Sequence, residues 1–355
     1  MPYLRADDAP KFGCSVTDQE ARLRHALAAA LDRYDQRVGS PFPADVRLEI
    51  VESDAFFAQV SMASDGVVVD VSTGVVDRID AVWNSTLEIT AGLPEGDQID
   101  LLGNPSHTAD ISLRWLMQHE LNHYANGHFS LTGGAVLLEA GSGTAYGLVS
   151  HAAPVNAPLA ELTGEELALA PLCLELQTDH DSTEIVLGAY SSENWVLFRY
   201  YATCIMVVIL IIEHEERSCD GENRTHPWAA TRLFMLLGHL VELPYIPAIK
   251  RAHHEGLESI PADYYPPEAE IKRYQSEVVS RVLGRSQIFA EVIGLQNLWN
   301  DLGGYDGLFE DIRRAMIGDT DDHRAFKTRG AQQWAELKPL NNRLLQMIHP
   351  IGLPE

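Results

Sequence analysis

The chain has 355 residues, of which 46% are hydrophobic and 22% charged, and this composition is that of a globular protein with a sizeable core. Its formal net charge is −25, and lysine occurs at only five positions. Such an acidic surface repels the phosphate backbone of nucleic acids, so we expect no nucleic-acid partner.

Three features predict where the protein resides. The N-terminal residues, MPYLRADDAPKFG, lack the apolar stretch of a secretion signal, and the four cysteines form no C-x-x-C pair. The apolar run Tyr200–Ile212 has no charged residue but is shorter than the roughly 20 residues that a membrane span needs. We therefore expect this run to form a buried core helix, with no stable membrane span, in a cytoplasmic protein.

The first part of the chain predicts a helix followed by a small sheet. Thr17–Val38 opens with the capping-box pattern T-x-x-E and continues with helical spacing. Alternating and β-branched residues then predict a sheet over about residues 45–75, and helical spacing returns at Val75–Trp83. The predicted strands are Asp45–Val51, Phe56–Met62 and Gly66–Val71.

A second helix is predicted over about residues 109–127. Thr108 is a suitable N-cap, Asp110 lies in the first turn, and Gly127 ends the helix. A loop rich in Gly, Pro, Asp and Asn, Leu93–His107, precedes it.

The remaining chain is predicted to be mostly helical after a long loop. That loop, rich in Gly and Ala, covers residues 130–158. A capping box formed by Thr163 and Glu166 then begins a helix over about 164–190, which we expect to kink near Pro171.

The helix over 109–127 carries the pattern H-E-x-x-H at His119, Glu120 and His123. Residues four apart lie on one helical face, so the two imidazoles can bind one ion. Two neutral imidazoles suit Zn²⁺, which acidifies a water, and Glu120 is placed to take the proton as that water attacks a carbonyl. The pattern also arises by chance, and a catalytic zinc needs a third protein ligand.

His128 is the nearest candidate for that third ligand, but its position argues against it. It follows His123 by five residues, which places it about 140° from the face of the two histidines. The metzincin pattern would require Gly at position 126 and His at 129, where the sequence has Asn126 and Phe129. We expect a supporting role for His128 near the helix end.

A better candidate lies in the later helix, within the sequence LELQTD. Glu175 and Asp179 are four residues apart and share a helical face. Glu175 can bind the metal, while Asp179 can accept the second N–H of a bound histidine and fix its tautomer. An ordinary acidic helix face is the alternative explanation for both residues.

Four segments, in this order, resemble motifs of the minimal gluzincin metallopeptidases, the group of the HtpX-like proteases and the CAAX-prenyl endopeptidases. DAFFA with DGVVVDVSTGVV is similar to that family's strands and helix start, and HELNHYANGH to its H-E-L-G-H-x-x-x-G-H. ELQTD resembles its E-x-E-A-D, and THPWAATR its T-H-P-x-x-x-x-R. The chain departs from the pattern at Asp54, where the family has Asn, and at Asn122, where it has Gly.

The resemblance implies a fold class, α+β, with a mostly helical zincin-type core and a small β-sheet before the H-E-x-x-H helix. It covers roughly residues 50–240. We therefore predict a metallopeptidase domain over residues 1–245 and a helical C-terminal extension over 246–355.

The resemblance also implies an active site around one zinc ion. The implied zinc ligands are His119, His123 and Glu175. Glu120 is implied as the general base, and Asp179 as the partner that orients a ligand. His226 and Arg232 would face the substrate or the developing oxyanion, and His226 stands just before Pro227 at a predicted helix start, where the helix dipole favours negative charge.

Together these features predict a soluble zinc endopeptidase with protein or peptide substrates, which would pair with the edge strand around Phe56–Val60. The alternative is a metallopeptidase-like regulatory or interaction module with a structural or latent zinc site. The intact Glu120 and His226 favour the enzyme. A deformylase-like hydrolase is disfavoured because no E-G-C motif precedes the helix.

Overall fold

The computed structural model describes residues 15–94, 105–132, 161–218 and 224–349. They form a mostly helical structure with one small sheet, which confirms the predicted α+β class. The helices are α1 (Val16–Val38), α2 (Gly74–Thr90), α3 (Pro105–Ala125), α4 (His128–Thr132), α5 (Gly164–Leu187), α6 (Trp195–Ser218), α7 (Ala229–Glu242), α8 (Ile246–His254), α9 (Glu268–Tyr274), α10 (Ser280–Ile293), α11 (Leu298–Asp301), α12 (Gly304–Met316) and α13 (Arg329–Ile348).

The sheet has three strands in the order β1–β3–β2. β1 is parallel to β3 and β2 is antiparallel to it, so β2 lies at one edge. The alternating valines of β3 are fully buried, which fits a central strand packed on helices. The strands are β1 (Val46–Val51), β2 (Ala58–Ala63) and β3 (Gly66–Ser72), close to the predicted bounds.

Two helix starts differ from the prediction. α1 begins at Val16 because the Ser15 hydroxyl accepts a hydrogen bond from the backbone N–H of Asp18, so Thr17 is not the cap. α3 begins at Pro105, a residue suited to the first turn of a helix, which leaves Thr108 buried inside the helix instead of at its N-cap. Asp110 therefore lies beyond the first turn, where it pairs with Arg22.

The capping box that begins α5 is confirmed. The backbone N–H of Thr163 donates to the Glu166 carboxylate, and the N–H of Glu166 donates to the Thr163 hydroxyl. The helix then continues through Pro171 and ends at Leu187. The loop predicted over 130–158 lies outside the described residues from 133 onward, and its first residues belong to α4.

The α3 helix is the centre of the fold, because α1, α2, α5 and α6 all pack on it. The apolar run 200–212 lies in α6, where all its side chains from Ala202 onward are at most 4% exposed, as predicted for a core helix. Among the described residues, two segments, Ser192–Arg217 and Ala229–His254, are long and apolar enough to cross a membrane. The most apolar 18 residues of these segments are 78% and 56% buried, and the core helices of soluble proteins meet the same criterion.

The C-terminal helices pack on the same core as the rest of the chain. One continuous hydrophobic cluster includes Leu23 near the start and Ala335 near the end. α13 lies along α5 and α7, and a Cβ atom on Gly330 would stand 2.3 Å from the carbonyl oxygen of Ala230. Only glycine permits this contact, so the start of α13 is fixed against the start of α7.

Candidate metal centre

Two helices bring three candidate ligands to one point. α3 supplies His119 and His123, and α5 supplies Glu175; their ligand atoms all lie within 4.8 Å of one another. The Nε2 atoms of His119 and His123 lie 3.1 and 3.2 Å from the two carboxylate oxygens of Glu175. All three side chains are at most 2% exposed.

This donor set fits a metal ion. The Oε1 atom of Glu175 is buried and has no hydrogen-bond partner among the described residues, although an imidazole nitrogen lies nearby. Leaving a buried carboxylate oxygen unpaired is costly, and a cation between the oxygen and the two imidazoles would satisfy it. The three residues can therefore hold one ion.

The charges at the centre shift the pKa of its acidic groups in opposite directions. Burial would raise the pKa of Glu175, but the nearby His226, His123 and His119 hold it well below the usual value. Burial raises the pKa of Glu120, and the histidines oppose this only in part. Glu175 thus favours the charged form that a ligand needs, whereas Glu120 is closer to exchanging a proton.

Glu120 lies in a small pocket beside the three candidate ligands. Phe56, Phe57 and Ala58 from the segment before and at the start of β2 form one wall of this pocket, and His226 forms another. Its volume is about 20 Å³, which accommodates a water molecule or an ion. The edge strand predicted to meet a substrate is therefore adjacent to the centre.

The sequence S-T-G at the end of β3 positions this wall. The hydroxyl of Ser72 donates to the carbonyl oxygen of Ala55 at 2.5 Å. A Cβ atom on Gly74 would lie 2.5 Å from the same oxygen, so the chain before Phe56 approaches α2 as closely as only glycine allows. The positions of Phe56 and Phe57 thus depend on the segment Ser72–Gly74.

Asp179 lies beside His119, and its other partner is a residue that the sequence did not pair with it. Asp179 Oδ1 lies 3.1 Å from His119 Nδ1. The guanidinium of Arg232 makes two bonds to the same carboxylate, at 2.6 and 2.7 Å, and both side chains are 1% exposed. Arg232 is not among the residues that line the pocket, and its charge pairs with the buried carboxylate of Asp179, which needs such a partner.

His226 lies beside Glu175 and lines the same pocket. Its Nε2 atom lies 3.4 Å from Glu175 Oε2, and its Nδ1 atom lies 2.8 Å from Glu216 Oε1. Burial would raise the pKa of Glu216, but the charge and hydrogen bonds of His226, with Arg224 and Thr225, lower it to about 2. No motif pointed to Glu216, which lies in an ordinary-looking acidic run of α6.

Two further polar residues of the sequence HELNHYANGH, Asn122 and His128, have side-chain partners. Asn122 accepts a hydrogen bond from Gln118 at 3.0 Å and donates one to Ser182 of α5 at 2.9 Å. His128 follows the left-handed Gly127, and its Nδ1 atom lies 3.0 Å from Nδ1 of His123. His128 thus contacts the candidate ligand His123 and is not itself in the candidate ligand group.

Sequence alone thus identified the residues that meet at the centre, and the structure adds the partners behind them. Comparisons of this chain with protein-family models, with curated proteins and with solved structures found no match.

Proposed function

We propose that the protein is a zinc-dependent endopeptidase with a gluzincin-type centre and a zincin-type helical core. The observation that carries the proposal is the convergence of His119, His123 and Glu175 beside the carboxyl of Glu120 in one pocket. Two imidazoles and a carboxylate are a common ligand set of catalytic zinc, and the identity of the metal is part of the proposal.

The side chains around the ion have distinct tasks in the proposed reaction. Zinc would supply a Lewis acid that makes water acidic and polarises a carbonyl. Glu120 accepts the proton of the attacking water and returns it to the leaving amine, for which a buried carboxyl of raised pKa is suited. His226, held at Nδ1 by Glu216, directs Nε2 into the pocket and stabilises a substrate oxygen.

The proposed substrate is an extended polypeptide. β2 is an edge strand whose first residue, Ala58, lines the pocket, so an added strand would bring its backbone to the centre. The net charge of −25 favours substrates that are basic or neutral over acidic ones.

The decisive test is Glu120→Gln. The variant should bind zinc with the stoichiometry and affinity of the wild type, because Glu120 is not a ligand, and should lose hydrolysis of an unfolded protein substrate by about 10²–10⁴-fold. Glu88→Gln, at an exposed position of α2, serves as the matched control and should retain both properties. Hydrolysis by Glu120→Gln at the wild-type rate would overturn the proposed mechanism.

A second candidate function is a regulatory or interaction module with a structural or latent zinc site. The volume of the pocket, about 20 Å³, favours this candidate because a peptide does not fit without movement of the Phe56–Phe57 wall. Under this alternative the zinc-loaded wild type hydrolyses no unfolded substrate, and Glu175→Ala loses zinc and unfolds at lower temperature. Hydrolysis by the wild type excludes it.

A further inference from the structure

We propose that α13, a helix of the C-terminal region, completes the metal centre by fixing which ring nitrogen of His123 is free to bind a metal. Asn341 of α13 would act as a positioning residue through Gln177 and His128. The inference rests on the metal centre of the proposed function, but not on peptidase activity.

A continuous chain of polar contacts joins α13 to the ligand. The Nε2 atom of Gln177 lies 2.9 Å from Asn341 Oδ1, across 164 residues of sequence. The Oε1 atom of Gln177 lies 3.1 Å from Nε2 of His128. The opposite ring nitrogen of His128 then contacts Nδ1 of His123 at 3.0 Å.

The direction of these bonds follows from the chemistry of each group. Gln177 Nε2 also reaches the backbone carbonyl of Asn341 at 3.5 Å, and a carbonyl only accepts, so the amide NH₂ faces α13 and Oε1 faces His128. His128 must therefore donate from Nε2. A neutral imidazole that donates from Nε2 accepts at Nδ1, so the partner there is the Nδ1–H of His123.

The result for the ligand is a defined tautomer. With the proton on Nδ1, the Nε2 atom of His123 has a free lone pair, and this atom points to Glu175 at 3.2 Å. The opposite tautomer would place a proton where the metal has to bind. Groups that fix a ligand's tautomer in this way contribute strongly to metal affinity.

The position of Asn341 is itself well defined, because α13 is held at both ends and in the middle. Gly330 fixes its start against α7, and a Cβ atom on Gly127 would lie 2.9 Å from Ile348 near its end. In between, Arg343 donates to Glu166 at 2.8 Å. Asn341 is therefore presented by a rigid element rather than a loop.

The test measures metal affinity of the full-length protein by competition with a chelator, using zinc and cobalt. Asn341→Leu and Gln177→Leu should each weaken binding about 10–100-fold. Asn341→Asp keeps an oxygen acceptor for the NH₂ of Gln177 and should retain wild-type affinity. Asn342→Leu, at the exposed neighbouring position, is the matched control and should also bind as the wild type.

Nitrogen-15 NMR of the zinc-loaded wild type provides a second measurement that needs no variant. Protonated Nδ1 in His123 and protonated Nε2 in His128 are expected, and a proton on Nδ1 of His128 would overturn the inference. Equal metal affinity of wild type, Asn341→Leu and Gln177→Leu would overturn it as well, while leaving the proposed peptidase intact. A wild type that binds no zinc or cobalt would refute both.

Discussion

At the scale of single residues, Glu216 shows how the centre is supported from behind. Its carboxylate accepts from the ring and the backbone N–H of His226 at 2.8 and 2.9 Å, and also from Thr225. A carboxylate with several donors is stabilised in its charged form. Its pKa of about 2 is therefore linked to the stability of the fold.

Glu216→Gln should remove a stabilisation that depends on pH. Because the pKa falls from 4.5 in the unfolded chain to about 2 in the fold, the carboxylate stabilises the protein fully above pH 4.5, and this contribution is lost as the pH falls towards 2. At pH 6–7 we expect the free energy of unfolding of the variant to be about 2–3 kcal/mol lower than that of the wild type. Urea titrations at several pH values should show that this difference shrinks on acidification. Glu268→Gln, an exposed control, should leave the free energy of unfolding almost unchanged.

Arg232 gives a prediction that separates a structural role from a role towards substrate. Arg232→Met leaves the buried Asp179 without its paired charge and should lower the free energy of unfolding by about 3–5 kcal/mol in denaturant titrations. Arg232→Lys keeps the charge but cannot make both hydrogen bonds to Asp179, so its free energy of unfolding should lie between those of the wild type and Arg232→Met. If Arg232 acted on the substrate alone, both variants would lose hydrolysis and unfold like the wild type.

At the scale of helices, Asn122 joins two elements of the centre. Its side-chain amide donates a hydrogen bond to Ser182, which connects α3 to α5. Both helices carry ligands, so this bond helps to set the separation between the two histidines and Glu175.

Asn122→Gly should therefore destabilise the protein, although it restores the family residue. The cost combines about 1 kcal/mol for glycine in a helix with about 1–3 kcal/mol for the unpaired Gln118 and Ser182, measured as the free energy of unfolding. Asn84→Gly, at an exposed position of α2, is the control for placing glycine in a helix and should lower the free energy of unfolding by only about 1 kcal/mol. Equal losses in both variants would show that the bond to Ser182 contributes nothing.

At the scale of the whole molecule, the described C-terminal helices belong to the same packed body as the candidate metal centre. A second hydrophobic cluster joins Leu172 and Leu176 of α5 to Leu337 and Leu344 of α13. The side chain of Gln333 accepts from the backbone N–H of Trp228 at 3.0 Å and thereby caps the start of α7.

Gly330→Ala tests this packing in the intact chain. The added Cβ would meet the Ala230 carbonyl, so α13 has to shift, and we expect a loss of about 1–3 kcal/mol in the free energy of unfolding. Gly238→Ala meets no atom within 4 Å and should stabilise the protein by about 0.5–1 kcal/mol. Paired urea titrations compare the two; a stable Gly330→Ala protein would mean that α13 is loosely docked.

The parts of the site that sequence predicted are those set by helical periodicity. His119 and His123, and likewise Glu175 and Asp179, share a face because they are four residues apart, and the motif order suggested that the two faces meet. Periodicity does not reveal which residues from distant parts of the sequence contact a given helical face. Nothing in the spacing of Arg232 indicated its ion pair with Asp179, and Gln177 and Asn341, separated by 164 residues, formed no pattern at all. The sequence also did not decide which residue caps α1, because Ser15 and Thr17 are both residue types that favour an N-cap.

The contact between Gln177 and Asn341 also has a consequence for protein synthesis. Ribosomes add about 5–20 residues per second, so roughly 10–30 s separate the emergence of Asp179 from that of Asn341. During this interval the nascent chain carries all three candidate ligands but lacks the helix that fixes His123. Full metal affinity should therefore arise only after Asn341 has emerged and α13 has packed against Gln177.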